Sequence, residues 1–186
     1  MIVVRRAVMA DAEPIAEIYD YYVKNTAITF EYESPSAEEF KKRMELTMRR
    51  YPYLVIEKDG VVKGYAYAGP LVARAAYDWS CEMTVYVDRD ARKSGLGRRL
   101  YEALETELRK MGIQNLYARV AYPETEDEYL TANSADFHAH LGFVKAGEFH
   151  KCGYKFGRWY NIIWMEKIIG RHGDDHEQVK SHWGVR

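Results

Sequence analysis

Apolar positions change period along the chain, and each change marks an element. Residues 2–7 form a short β-type run. Asp11 then stands where a helix cap belongs, and Ile15, Ile18, Tyr19, Tyr22 and Val23 follow at spacings of three and four, which predicts a helix. Ser34-Pro35-Ser36 interrupts it; Ser36 with Glu39 reads as a capping box, and Phe40, Met44 and Met48 supply a second helical stripe. Residues 53–57 and 61–68, rich in β-branched and aromatic side chains, flank Lys58-Asp59-Gly60 and predict an antiparallel hairpin that ends at Gly69-Pro70. Alternation returns at 81–87, helical spacing at 96–111 through Leu100, Leu104 and Leu108, and a further strand at 115–121. After a polar acidic loop over 122–130, a short helix is expected at 133–141, then strands at 144–151 and 158–168 joined by a CGYKFG turn.

Composition narrows the class. A chain of 186 residues with 47% hydrophobic content fits one domain, taken as 1–168, followed by a polar tail at 169–186 expected to fray. Twenty-seven Lys and Arg against 28 Asp and Glu leave a formal net charge of -1, which argues against nucleic acid as a partner and requires any phosphate site to be local. Cys81 and Cys152 lie too far apart for a metal-ligand spacing or a disulfide scaffold, which suits the cytoplasm. The N-terminal apolar run is too short for a signal-peptide core, and no stretch approaches the ~20 apolar residues of a membrane span. His172, His176 and His182 are read as a solvated tail rather than as metal ligands.

Local positive charge gathers in one place. Arg92-Lys93-Ser94-Gly95-Leu96-Gly97 follows a strand and opens a helix, with Arg98 and Arg99 next in line. Glycines two apart let the backbone approach a ligand, and unpaired amides at a helix N-terminus attract phosphate. Neither familiar nucleotide motif fits, because no Lys-Ser or Lys-Thr follows a GxxxxG loop and residue 100 is Leu where a dinucleotide fingerprint needs Gly. Taken alone, the loop suits a tight strand-to-helix turn with solvated arginines equally well.

The R-x-x-G-x-G loop after a VYV strand resembles the acetyl-CoA motif of the GNAT superfamily, and the likeness extends beyond the loop. The segments RRAVMADAEPIAEIYDYYV, TFEYESP, GYAYAGPLVARAAYDWSCEMTVYVDRDARKSGLGRRLY, FHAHLGF and CGYKFGRWY are similar to the phosphinothricin acetyltransferase branch, and cover most of residues 3–167. The resemblance implies an α+β fold: a mixed, mostly antiparallel sheet of about seven strands flanked by about four helices, its fourth and fifth strands splayed around a pantetheine arm. It also implies acetyl-CoA as cosubstrate, no metal, a homodimer with the CGYKFGRWYNIIWM strands as a plausible contact, and N-acetylation of a small amino acid or analogue of the phosphinothricin, methionine sulfoximine or methionine sulfone type. Acetylation of a protein N-terminus and a non-catalytic acyl-CoA sensor are the alternatives.

Roles follow from chemistry and resemblance together. Glu82 is the sole carboxylate in the run 81–87, shares a strand face with Thr84 and Tyr86, and is the expected general base. His138 stands where the branch has a histidine and where other members have a tyrosine that protonates the departing sulfur; its ordinary pKa of about 6.5 suits either donation or acceptance. Val85, Tyr86 and Val87 are expected along the thioester and pantetheine, Arg92, Lys93, Ser94, Gly95, Leu96, Gly97 and Arg98 around the pyrophosphate, and Asn133, with Ser134, beside the pantetheine. For the acceptor, Phe30, Glu31, Arg74 and Tyr77 form the expected set, with Arg74 forking onto a carboxylate. Val72 stands where the herbicide-detoxifying members carry a basic residue, and Asn133 directly precedes Ser134 where the branch spaces them further apart.

Overall fold

A computed structural model describes residues 1–173 and 177–181. Its elements in chain order are β1 (Ile2–Arg6), α1 (Ala12–Asn25), α2 (Ala37–Met48), β2 (Tyr53–Lys58), β3 (Val61–Pro70), β4 (Ser80–Val87), α3 (Leu96–Met111), β5 (Asn115–Tyr122), α4 (Asn133–His140), β6 (Val144–Lys155) and β7 (Arg158–Ile168). The seven strands form one sheet in the order β1-β2-β3-β4-β5-β7-β6. Only β4 and β5 run parallel; α3 between them carries the chain back to the end of the sheet from which β4 started. The expected mixed, mostly antiparallel architecture is the one found.

Strand β2 is buried on both faces, and its alternation divides the core. Tyr53 and Val55 pack with Ile15, Tyr19, Tyr22, Phe40 and Met44 from α1 and α2. Leu54 and Ile56 pack on the opposite face with Leu96, Leu100, Leu104 and Leu108 of α3. The 3.6-residue stripes of the helices thus meet the two-residue period of the strand.

Several local expectations change. Asp11 makes no cap bond to α1; its buried carboxylate accepts from the Val8 amide at 2.8 Å and from both terminal nitrogens of Arg5 at 2.8 Å, since a buried charge needs its counter-ion close. Ser36 does cap α2, accepting from the Glu39 amide at 3.1 Å. Only Phe156 and Gly157, both at positive φ, make the turn between the last strands; Cys152 to Lys155 remain in β6. A bulge between Phe149 and Gly153 absorbs the extra residues, with the Lys151 amide donating to Asn161 Oδ1 at 2.8 Å.

The tail is partly docked rather than frayed. His172 Nε2 lies 2.7 Å from Asn115 Oδ1, Trp79 donates to the Glu177 carbonyl at 3.0 Å, the Lys180 amide donates to Met111 O at 2.9 Å, and Val179 packs on the α3 core. His176 and His182 lie outside the described residues. Among those described, no helix is long and apolar enough to cross a membrane, and no three His, Cys, Asp or Glu side chains gather as metal ligands.

Candidate active site

The sheet opens at its middle. Strands β4 and β5 pair only at Ser80–Asn115, Cys81–Leu116 and Glu82–Tyr117, and then part, although β4 continues to Val87 and β5 to Tyr122. This is the splay that the resemblance implied. On the open side of β4, Tyr22 donates its hydroxyl to Val87 O at 2.5 Å, and the Tyr101 hydroxyl lies 3.5 Å from Met83 O. The Asp88 amide turns the other way, to Lys63 O at 2.9 Å. Backbone direction alternates along a strand, so residues 83, 85 and 87 aim their amides and carbonyls into the opening, and the Val85 and Val87 amides have no partner strand there.

A cavity of about 640 Å³ occupies the opening. It gathers Glu82, Val85, Tyr86, His138, Phe30 and Glu31 of the expected residues. Glu82 enters from the last paired position of β4, its side chain 23% exposed. Burial raises its carboxyl above the ordinary range, and the Arg119 guanidinium, 3.4 Å away at Nε, draws it part of the way back. Tyr86 contributes a ring packed edge-on against Tyr19 and Tyr22, so its role in the wall is support.

His138 is held at both ring nitrogens. Its Nδ1 lies 2.6 Å from the Ser134 carbonyl, which only accepts, so Nδ1 carries the proton; Nε2 then accepts from the Tyr101 hydroxyl at 2.8 Å. The rings of Tyr101, Phe137 and Phe143 surround the imidazole edge-on. Burial pushes its pKa below the ordinary value, against a smaller opposing pull from the Ser134 carbonyl. A neutral imidazole with both nitrogens engaged has no free proton to give; Tyr101 and Ser134, which hold it, line the same cavity.

The glycine loop lies at the far end of β4. Lys93 and Gly95 adopt positive φ (58° and 79°), Ser94 Oγ donates to Ala91 O, and the first bond of α3 runs from Arg99 N to Gly95 O. The amides of Leu96, Gly97 and Arg98 therefore lack helical partners. Arg92 lies over the rings of Tyr21 and Tyr22 at 5.2 and 5.0 Å, while Arg98 pairs with Glu102 at 3.0 Å. Phe137 of α4 approaches Gly97, where an added β-carbon would lie 3.4 Å from its ring. Asn133 is exposed and outside the cavity; Ser134 lines it, and Ala132 takes the cap position without a side-chain bond.

On the acceptor side, Phe30 and Glu31 sit on a loop held from several directions. Lys155, buried, donates from Nζ to the carbonyls of Thr26 and Thr29 at 2.9 and 2.8 Å, and burial lowers its pKa to about 8. Gly153 leaves room for Phe30, whose ring would lie 1.9 Å from an added β-carbon. Arg43 binds Glu31 at 2.8 Å and Glu39 at 3.2 Å. Arg74 and Tyr77 are not brought to the cavity: the loop after β3 folds on itself, with Arg74 N donating to Val72 O at 2.8 Å, and leaves both side chains exposed. Sequence reasoning missed Arg43, Tyr67, Tyr101 and Arg119 in the lining. Arg119 had a usable signal, as the sole charge in the strand NLYARVAY.

A parallel strand pair that parts over a cavity, followed by a glycine turn and the bare N-terminus of a helix, is the architecture of GNAT acetyltransferases. Comparison with known proteins agrees. The family model described as Acetyltransferase (GNAT) domain matches residues 4–164, and the chain belongs to that family. It is 34% identical over 164 residues to a phosphinothricin N-acetyltransferase of Streptomyces viridochromogenes, covering 88% of this chain and 86% of that protein. It is 31% identical to an L-methionine sulfoximine/L-methionine sulfone acetyltransferase of Salmonella typhimurium, covering 91% and 95%. Among solved structures, a GNAT phosphinothricin acetyltransferase from Sinorhizobium meliloti in complex with AcCoA superposes with a TM-score of 0.85 at 29% identity, covering 97% of this chain and 98% of that one.

Proposed function

We propose that this protein transfers an acetyl group from acetyl-CoA to the amine of a small amino acid or amino-acid analogue, with Glu82 as general base. The observation that carries the reading is the position of Glu82: a carboxylate with a raised pKa, at the point where β4 and β5 part and beside two open backbone amides. The site suits the coenzyme on its own terms. The bare amides of Leu96 to Arg98, with Arg92, Lys93 and Ser94, match a pyrophosphate, and the open edge of β4 at Val85 and Val87 matches the amides of a pantetheine arm. Acetyl-CoA supplies the acyl group already activated as a thioester.

The protein's part is to free the amine and hold the reacting groups. Glu82 accepts a proton from the acceptor's ammonium, which exposes the nitrogen lone pair. Attack on the thioester carbonyl forms the N–C bond and breaks the C–S bond, and the second amine proton leaves with the coenzyme as its thiol. The Val85 amide points at the place where the acyl oxygen gathers charge, and a fixed donor in a water-poor cleft stabilises that charge without reorganising. Tyr101, whose hydroxyl donates to His138 Nε2 at 2.8 Å, lines the same cavity. Relatives named for phosphinothricin and for methionine sulfoximine or sulfone support a compact acceptor of that type.

Glu82→Gln tests the reading. The acetylation rate constant should fall about 10²- to 10⁴-fold, while the dissociation constant for acetyl-CoA, measured by calorimetry, stays within about threefold. An unchanged rate refutes the base assignment. The two cysteines are unpaired, which supports a cytoplasmic setting. Val144, Phe149, Tyr154 and Trp159 are exposed on the outer strands β6 and β7, and this apolar strip supports a homodimer.

A further inference from the structure

We propose that Arg119 determines acceptor specificity by binding the α-carboxylate of an α-amino acid whose amine is held at Glu82. The inference rests on the function proposed above and narrows its substrate class. In an α-amino acid the amine and the carboxylate share one carbon, so a base placed on the amine needs a cation at its side to meet the carboxylate. Arg119 Nε lies 3.4 Å from Glu82 Oε1, which is that arrangement.

The other arginines near the site are committed or absent. Arg43 spends its guanidinium on Glu31 and Glu39, with contacts at 2.8, 3.2 and 3.5 Å, and Arg74 lies outside the cavity. Arg119 makes one long ion pair and, among the described residues, no hydrogen bond to another protein group. Its guanidinium carbon lies 5.8 Å from the centroid of the Trp164 ring, a cation–π contact that leaves its hydrogen-bond donors available. It leaves β5 two residues beyond Tyr117, the last partner of β4, and so enters the opening at the level of the base. A planar fork with free donors takes a carboxylate in two parallel hydrogen bonds.

The arrangement couples binding to chemistry. While Arg119 faces Glu82 it lowers the pKa of that carboxyl; once it turns to the acceptor's carboxylate that pull weakens, and Glu82 becomes the stronger base. The other titratable groups that sense Glu82 are Cys81, Tyr67 and Tyr101, and burial keeps all three neutral by raising their pKa.

The experiment compares the intact chain with Arg119→Gln and Arg119→Lys on two probes, L-methionine sulfone and its carboxamide, which share the amine but not the carboxylate. For Arg119→Gln, kcat/KM should fall about 10- to 100-fold on the acid, as loss of a charged hydrogen-bond pair implies, and change by less than about threefold on the amide. The KM for acetyl-CoA should not move, and Arg119→Lys should recover part of the loss. The acidic limb of the amide's kcat/KM profile should shift to higher pH, because Glu82 has lost its neighbouring cation. Equal losses on both probes, or none on the acid, overturn the assignment and leave the acetyltransferase reading standing. If the intact chain acetylates no amino acid while accepting other amines, the amino-acid reading falls with it.

Discussion

Glu82 and His138 border one cavity in opposite electrostatic states. Burial raises the pKa of Glu82, which suits the base role proposed for it, and lowers that of His138, which holds an imidazole neutral. The second effect has a sign that can be measured. A folded state that resists protonation at His138 binds fewer protons than the unfolded chain, so stability is present above the unfolded pKa of about 6.5 and is lost as pH falls below it. Denaturant titrations of the intact chain and His138→Gln should differ in slope below pH 6.5, by at most about 1.4 kcal/mol per pH unit; parallel curves would contradict the neutral, buried assignment. At this scale the sequence was informative wherever one charge interrupted an apolar strand. Glu82 stood out for that reason, and Arg119 in NLYARVAY carried the same signal unread. Arg74 shows the limit of a motif, which identifies a residue without saying which way its loop turns: here the loop closes on Val72 and leaves the side chain outside the cavity.

The decisive element is the passage from β4 through the glycine loop into α3. Gly95 supplies the positive φ that reverses the chain before Leu96, and an added β-carbon there would meet nothing within 4 Å, so its requirement is conformational rather than steric. Gly95→Ala should cost about 1–2 kcal/mol of stability. Its KM for acetyl-CoA should rise while that for the amine does not; equal changes in both would place the loop's role elsewhere. Helix limits were readable at this level because caps and glycines mark them: α3 spans the predicted 96–111 and ends at Gly112, φ 89°. Strand β6 was not, because its bulge is fixed across the sheet by Asn161, whose partner no local pattern reveals. The splay was likewise known through resemblance alone, since whether two strands separate depends on neighbours distant in sequence.

For the molecule as a whole, two cores on either face of one sheet hold a cleft that neither face fills. Helices α1 and α2 support the β2–β4 side, α3 and α4 support the other, and the gap beyond Glu82 is where the sheet's own pairing stops. In the function proposed above, catalysis takes place at a defect in the ladder that the surrounding packing keeps open. The direct test is thiol release from acetyl-CoA by the intact chain with phosphinothricin, L-methionine sulfone, L-methionine sulfoximine and an N-terminal peptide as acceptors. Saturable release, matched mole for mole by N-acetylated amino acid, is the predicted result; release with the peptide alone, or none above hydrolysis with any acceptor, would contradict the account.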